Sequence, residues 1–297
     1  MMSYRYSNAL ILSLLLLALW SANGFSQQPQ TKRPLTENED PLLIGKRNIN
    51  KQQINIYSTE KEIALGRQLA AEIEQQSRLV DDAGVADYLA NLCRNLALHS
   101  DAAIPVTIKV VDSEEVSAVA LPGGFLYINL GLMRVVETES ELAAVIAHLI
   151  AHVAARHGGE FASKAELLGH AAFQQVVLAE KLDGSLSASQ DRVSIAVLAF
   201  RRKAEAEADA LGAQYAWAAG YDLNGLIKFY EKASQSEMGG ARIFSPYPLP
   251  SERISKVKEL IERFPEREKQ IVNTEDFDRV KARLPLEPPK NQPFRRR

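Results

Sequence analysis

Hydrophobic positions along this chain switch between helical and strand periods, and the switches mark out its elements. Ile63, Leu69, Ala70 and Ile73 recur at helical spacing behind a capping box of Thr59 and Glu62, which predicts a first helix to about Gln76. Val85, Tyr88, Leu89, Leu92 and Leu96 form the stripe of a second, after Asp81 and Asp82. Past Pro105 the period falls to two. VTIKVVD alternates and is β-branched, and AVAL and FLYIN are short apolar runs joined by Pro122-Gly123-Gly124, so three strands are expected, the last two as a hairpin or bulged edge. No helix opens directly after the two glycines, which are therefore read as a tight turn and not a phosphate cradle. From Glu141 to His157 the chain is almost uniformly apolar, as a buried helix is, with a capping box of Thr138 and Glu141 at its start and Gly158-Gly159 as its expected stop. Two further helical patterns between Phe161 and Phe200 read as a helical hairpin. A helix over about Lys203–Ala219 ends at Gly220, and LNGLIKFYEKA and a segment from near Ser251 are helical again.

The flanks carry less pattern. Residues 1–26 combine Arg5, an apolar run from Ala9 to Trp20 and small residues at Ala22, Gly24 and Ser26, which is the layout of a secretory signal peptide. The run falls short of the ~20 residues that span a bilayer, so no membrane span is expected once the signal is cleaved. No cysteine follows it to carry a lipid anchor, and the expected location is periplasmic or secreted. Residues 27–57 are polar and hold Pro29, Pro34 and Pro41, reading as a linker or a strap over the domain. Residues 58–265 hold the periodic segments, and 266–297 read as a charged, disordered tail. With 297 residues, 46% of them hydrophobic, the chain can build a sizeable core. A net charge of −2 from 35 basic and 37 acidic side chains offers no field for nucleic acid. Cys93 is the one cysteine, in an apolar helical pattern, and reads as a core thiol. No internal repeat is visible.

The candidate chemistry sits in the apolar helix. His148 and His152 lie four apart and project from one face, the spacing by which zinc peptidases supply two ligands, with a glutamate after the first histidine as general base. Leu149 stands at that place, so the motif reads H-L-I-A-H. Glu205 and Asp209 share a helix face at the same spacing. His170, alone on an apolar helix, reads as structural.

ALPGGFLYINLGLM, ELAAVIAHLIAHVAARH, EAEAD beginning 53 residues after His152, and SPYPLPSERI occur in that order. Together they resemble the gluzincin zinc metallopeptidases of family forty-eight, the HtpX, BepA and CAAX-protease type, over about Glu60 to Arg263. The resemblance implies an α+β fold, mostly helical, with a small three- to four-stranded sheet beside the metal helix. It also implies one zinc per chain on His148, His152 and Glu205, with Asp209 orienting a ligand histidine from behind. Arg156 and His157 match a polar pair after the second histidine, and the resemblance implies that Arg156, like Asp209, supports the ligands from behind. Tyr247 stands where some members place a histidine over the metal, and Arg253 matches the basic residue six positions on, so the resemblance implies that both lie at the cleft over the metal. Leu149 departs from the family's proton-shuttling glutamate, a loss typically worth ~10² to 10⁴ in rate. Glu141 is two turns and ~10 Å away along its helix, and Glu207 points about 160° from Glu205, so neither replaces it. The signal pattern and Leu149 make the expected protein an exported, catalytically impaired member that binds extended or misfolded polypeptide, and the resemblance implies a setting in envelope protein quality control, with envelope protein-assembly partners. Two alternatives remain open: an active zinc metalloendopeptidase using another proton acceptor, and a metal-free structural or interaction domain.

Overall fold

The computed structural model describes residues 33–167, 195–234 and 250–284. By its contacts the chain separates into Met1–Pro34 and Leu35–Arg297, and the second unit is the one described below. The expected signal peptide, His170 and Tyr247 lie outside the described residues.

Two helices open the unit, α1 (Thr59–Gln76) and α2 (Ala83–Leu98). The first is capped one residue earlier than its sequence suggests: the Ser58 hydroxyl accepts from the Lys61 amide, and Thr59 is already helical. Asp82 caps α2 by accepting from Val85. Three strands follow, β1 (Thr107–Val111), β2 (Ala118–Leu121) and β3 (Phe125–Asn129). They form one mixed sheet in the order β1-β3-β2. β1 runs parallel to β3 with Thr107 opposite Phe125, and β2 runs antiparallel with Ala118 opposite Ile128. The turn between β2 and β3 needs Gly123 and Gly124, whose φ angles are 77° and 89°. The α+β architecture is as the sequence predicts.

A short helix α3 (Leu130–Val135) leads into α4 (Glu139–Ala154), the apolar helix with the two histidines. Fifteen of its sixteen residues are buried and His152 is the exception, because α2, β2 and two later helices surround it. The later helices are α6 (Ile195–Ala218) and α7 (Asn224–Ser234). Between α4 and α6 stands α5 (His157–Leu167), and α8 (Pro250–Ile261) packs on α6 and α7.

Gly158-Gly159 does not stop the metal helix. The break comes at Arg156, the one described non-glycine residue with positive φ, at 51°, and both glycines lie inside α5. Their role is close approach: a Cβ on Gly158 would sit 2.8 Å from the Pro122 ring, and one on Gly159 would overlap the Glu62 carboxylate.

Residues 35–57 lie against this unit. Arg47 is buried on Asp101 at 2.7 Å and donates to Gln214 at 2.7 Å. The Asn50 and Gln53 side chains donate to the carbonyls of Ala154 and Ala155, filling acceptors left at the end of α4.

The expected tail is shorter than its charge suggests. Residues Glu275–Arg283 form a helix, α9, capped by Thr274, and Phe277, Val280 and Leu284 are buried on the face turned to α2. Lys281 donates to the carbonyls of Met133, Arg134 and Val136 at 2.8–2.9 Å. Two buried residues in a charged nine-residue helix, with Leu284 just past its end, are hard to see by composition, yet one of them is a phenylalanine at 1% exposure. Phe277→Ala is expected to destabilise the chain by about 3–5 kcal/mol in urea unfolding. A change under about 0.5 kcal/mol would return this segment to a solvated tail.

Candidate metal centre

Helix geometry puts His148 and His152 one turn apart, and the crossing of α4 with α6 supplies the carboxylates. These two helices make the most extensive contact in the described fold. They approach so closely at Gly212 that a Cβ there would stand 2.8 Å from the Cα of His148. Glu205 and Asp209, about two turns and one turn before Gly212, are thereby carried to the imidazoles.

The Nε2 atoms of His148 and His152 are 3.0 Å apart. Glu205 Oε2 stands 3.5 Å from the first and Glu205 Oε1 3.7 Å from the second. Among the described residues this is the one group of three metal-ligating side chains. Ligand atoms about 2.0–2.1 Å from a tetrahedral zinc are spaced about 3.3 Å from one another, and the observed spacings bracket that value. Glu205 Oε2 is buried and accepts no well-formed hydrogen bond, although Arg253 is 3.2 Å away. Two imidazoles and a carboxylate directed at one point, one of its oxygens short of donors, fit zinc. The His148 side chain is 2% exposed and that of His152 18%, so the group opens on the His152 side.

Asp209 stands directly behind His148, with Oδ1 3.0 Å from Nδ1. It is gripped in turn by Arg253, which donates through Nε at 2.7 Å and Nη2 at 2.6 Å, and by the Tyr230 hydroxyl. Burial by itself raises the Asp209 carboxyl, but the Arg253 charge and hydrogen bonds outweigh it and hold it down at about 2. Burial likewise opposes charge on His148, yet the neighbouring Asp209 and Glu205 carboxylates outweigh it and raise its pKa. For His152, burial and the neighbouring His148, His157 and Arg253 act together and hold the imidazole well below its ordinary value.

Two residues take different places from those expected. Arg253 is not in the cleft: it is 3% exposed and lies behind the ligands, because its planar fork matches Asp209. Arg156 does not touch a ligand. Its guanidinium donates to the Tyr57 carbonyl and the Glu62 carboxylate at 2.7 and 2.6 Å. His157 is the member of the pair behind a ligand, with Nδ1 2.9 Å from His152 Nδ1 and Nε2 3.5 Å from Glu207 Oε2. Sequence periodicity hides this contact, since position i+5 of an unbroken helix stands about 140° around from i. The left-handed residue Arg156 ends α4 and turns His157 back.

Leu149 is 2% exposed and belongs to the main hydrophobic core. On the open side of the group a small recess is lined by Leu121, Pro122, Gly123, His152, Arg156 and Glu62 among others. Its wall includes the end of β2, which is one of the two edge strands of the sheet.

A family model described as Peptidase family M48 matches residues 81–261, more than half of the chain and all of the residues just described except Glu62 and Tyr57. The chain belongs to Peptidase family M48. It is 26% identical over 242 residues to the Beta-barrel assembly-enhancing protease of Escherichia coli (strain K12), covering 76% of this chain and 48% of that protein. It is 31% identical over 172 residues to the Mitochondrial metalloendopeptidase OMA1 of Schizosaccharomyces pombe, covering 57% of this chain and 50% of the relative. To the Metalloprotease LoiP of Escherichia coli (strain K12) it is 30% identical over 159 residues, 52% of this chain and 62% of that one. The chain thus spans about half the length of the curated relatives it matches. In this M48 chain no described helix is long and apolar enough to cross a membrane.

Asp209→Ala is expected to cost about 3–5 kcal/mol at neutral pH, because it leaves the Arg253 guanidinium buried without its partner. The folded pKa of about 2 lies below the unfolded value near 3.9, so the carboxylate's contribution is full above about pH 4 and is lost as pH falls towards 2. Urea-unfolding stabilities of wild type and variant should converge over that window. A constant gap would show that the charge on Asp209 is not what stabilises this cluster.

Proposed function

We propose that this M48 chain binds one zinc through His148, His152 and Glu205, hydrolyses peptides poorly or not at all because Leu149 stands in the general-base position, and acts by holding extended or misfolded polypeptide. The observation that carries the reading is the combination of three aimed ligands with an aliphatic side chain one residue after the first of them. Zinc at such a site supplies a Lewis acid that polarises a peptide carbonyl. The remaining steps of hydrolysis belong to side chains, and they are where this chain is deficient.

A general base must take the proton of the attacking water and pass it to the leaving amine, so it must reach both. Leu149 has no group that does this. The nearby carboxylates are committed elsewhere. Glu62, on the wall of the recess, accepts from Arg156 and Asn55 through Oε1, Glu141 is held by Lys232 at 2.9 Å, and Glu207 faces His157. β2 is an edge strand of the sheet whose end lines the recess next to His152, and an extended peptide can add to a sheet edge by main-chain hydrogen bonds without being cut.

The setting follows from the relatives. One is a beta-barrel assembly-enhancing protease, another a mitochondrial metalloendopeptidase, and we infer a role in envelope protein quality control for this chain, with unfolded or extended polypeptide as its partner. Export by the N-terminal signal segment to a periplasmic or secreted location belongs to the same reading.

Elemental analysis of the purified chain should find close to one zinc, lost in His148→Ala. Leu149→Glu should then raise cleavage of an unfolded substrate such as reduced casein by about 10²-fold or more. Equal cleavage by both forms, abolished by His148→Ala, would instead identify an active peptidase with another proton acceptor. A zinc-free wild type would mean a metal-free domain.

A further inference from the structure

We propose that His157 is a positioning residue for His152, fixing the tautomer of that imidazole through a proton relay that ends on Glu207. The inference rests on the reading of His148, His152 and Glu205 as a zinc site and adds to it the device that aims the second histidine.

Proton bookkeeping carries the argument. His152 turns Nε2 towards His148 and Glu205, so a metal there needs the lone pair of Nε2 and the hydrogen of the neutral ring must sit on Nδ1. Nδ1 faces His157 Nδ1 at 2.9 Å, a distance that holds one hydrogen between the two nitrogens. His152 is therefore the donor and His157 Nδ1 the acceptor. That choice leaves the hydrogen of His157 on Nε2, which points to Glu207 Oε2 at 3.5 Å, the outer limit of a hydrogen bond. Each link fixes the next: the Glu207 carboxylate can only accept, His157 must then donate from Nε2, and its Nδ1 is left as the acceptor that His152 requires.

The two ligand histidines are thus supported differently. His148 has a carboxylate directly behind it, while His152 has the His157 imidazole behind it and the Glu207 carboxylate one residue further on. His157 is buried, so water does not readily replace it as acceptor. Its place depends on the left-handed turn at Arg156. Arg156 is itself pinned to Glu62 and Tyr57, so the preceding segment and α1 help to hold a metal ligand they do not touch.

The test uses the full chain, with zinc affinity read by competition against a chromophoric chelator and ligand geometry read from the visible bands of the cobalt(II)-loaded protein. His157→Leu should lower zinc affinity by about 10–100-fold and alter the cobalt bands. His157→Asn, whose amide oxygen falls near the place of Nδ1, should retain most of the affinity. Glu207→Ala, at a partly exposed position, should give a smaller loss, and it carries the test if His157→Leu does not fold. A role in packing alone predicts a lower Tm for the metal-free variants with unchanged zinc affinity, and that result overturns the proposal. So does His157→Asn falling as far as His157→Leu. A wild-type chain that takes up no zinc overturns the metal site and this inference together, whereas zinc uptake equal in wild type, His157→Leu and Glu207→Ala overturns the inference alone.

Discussion

The close crossing of α4 and α6 is the contact on which the rest of the structure depends. Gly212 lets the backbone of α6 come against His148, and only at that separation do Glu205 and Asp209 meet the two imidazoles. A larger residue at position 212 would push the helices apart and remove the third ligand and the support of the first in one step. The same crossing buries nearly all of α4, which explains an alanine- and leucine-rich helix with no polar face.

Burying this many ionisable groups is costly unless each finds a partner, and the partners form two separate sets. On one side Asp209 joins His148 to Arg253 and Tyr230, with the arginine fork satisfying both carboxylate oxygens. On the other His157 joins His152 to Glu207. Arg253 also stands beside Glu205, so one guanidinium balances two carboxylates that would otherwise repel across the core. These groups aim the ligands, and they remain in a chain whose general-base position is an aliphatic core residue. Retained binding with weakened proton transfer is the chemistry proposed for this arrangement.

The preceding segment and the C-terminal helix show how peripheral pieces serve the centre. Asn50 and Gln53 fill carbonyls at the end of α4, and α9 packs on α2 while Lys281 closes the end of α3. Ser140 and Glu139, at the start of α4, bond to Val272 and Asn273. Both ends of the metal helix are therefore anchored by chain segments that lie outside the core motifs.

Local chemistry was enough to read the strands, most helices, the pairing of His148 with His152 and the odd residue between them, because period, capping and i,i+4 spacing act over a few residues. Glu205 and Asp209 could be read as a pair on one face, though their meeting with the histidines came from family resemblance and not from spacing. Other features needed the folded chain. The glycines after the metal helix looked like a stop, and only the positions of Pro122 and Glu62 show that they clear space. Arg253 looked like a cleft residue until its buried partner was in view. His157 gave no sign of facing His152, since a helical register turns it away, and one left-handed residue reversed that. The sequence by itself determined which side chains could do chemistry and which one is missing; tertiary structure decided which of them touch, because contacts between distant segments depend on helix crossings and breaks that no local pattern encodes.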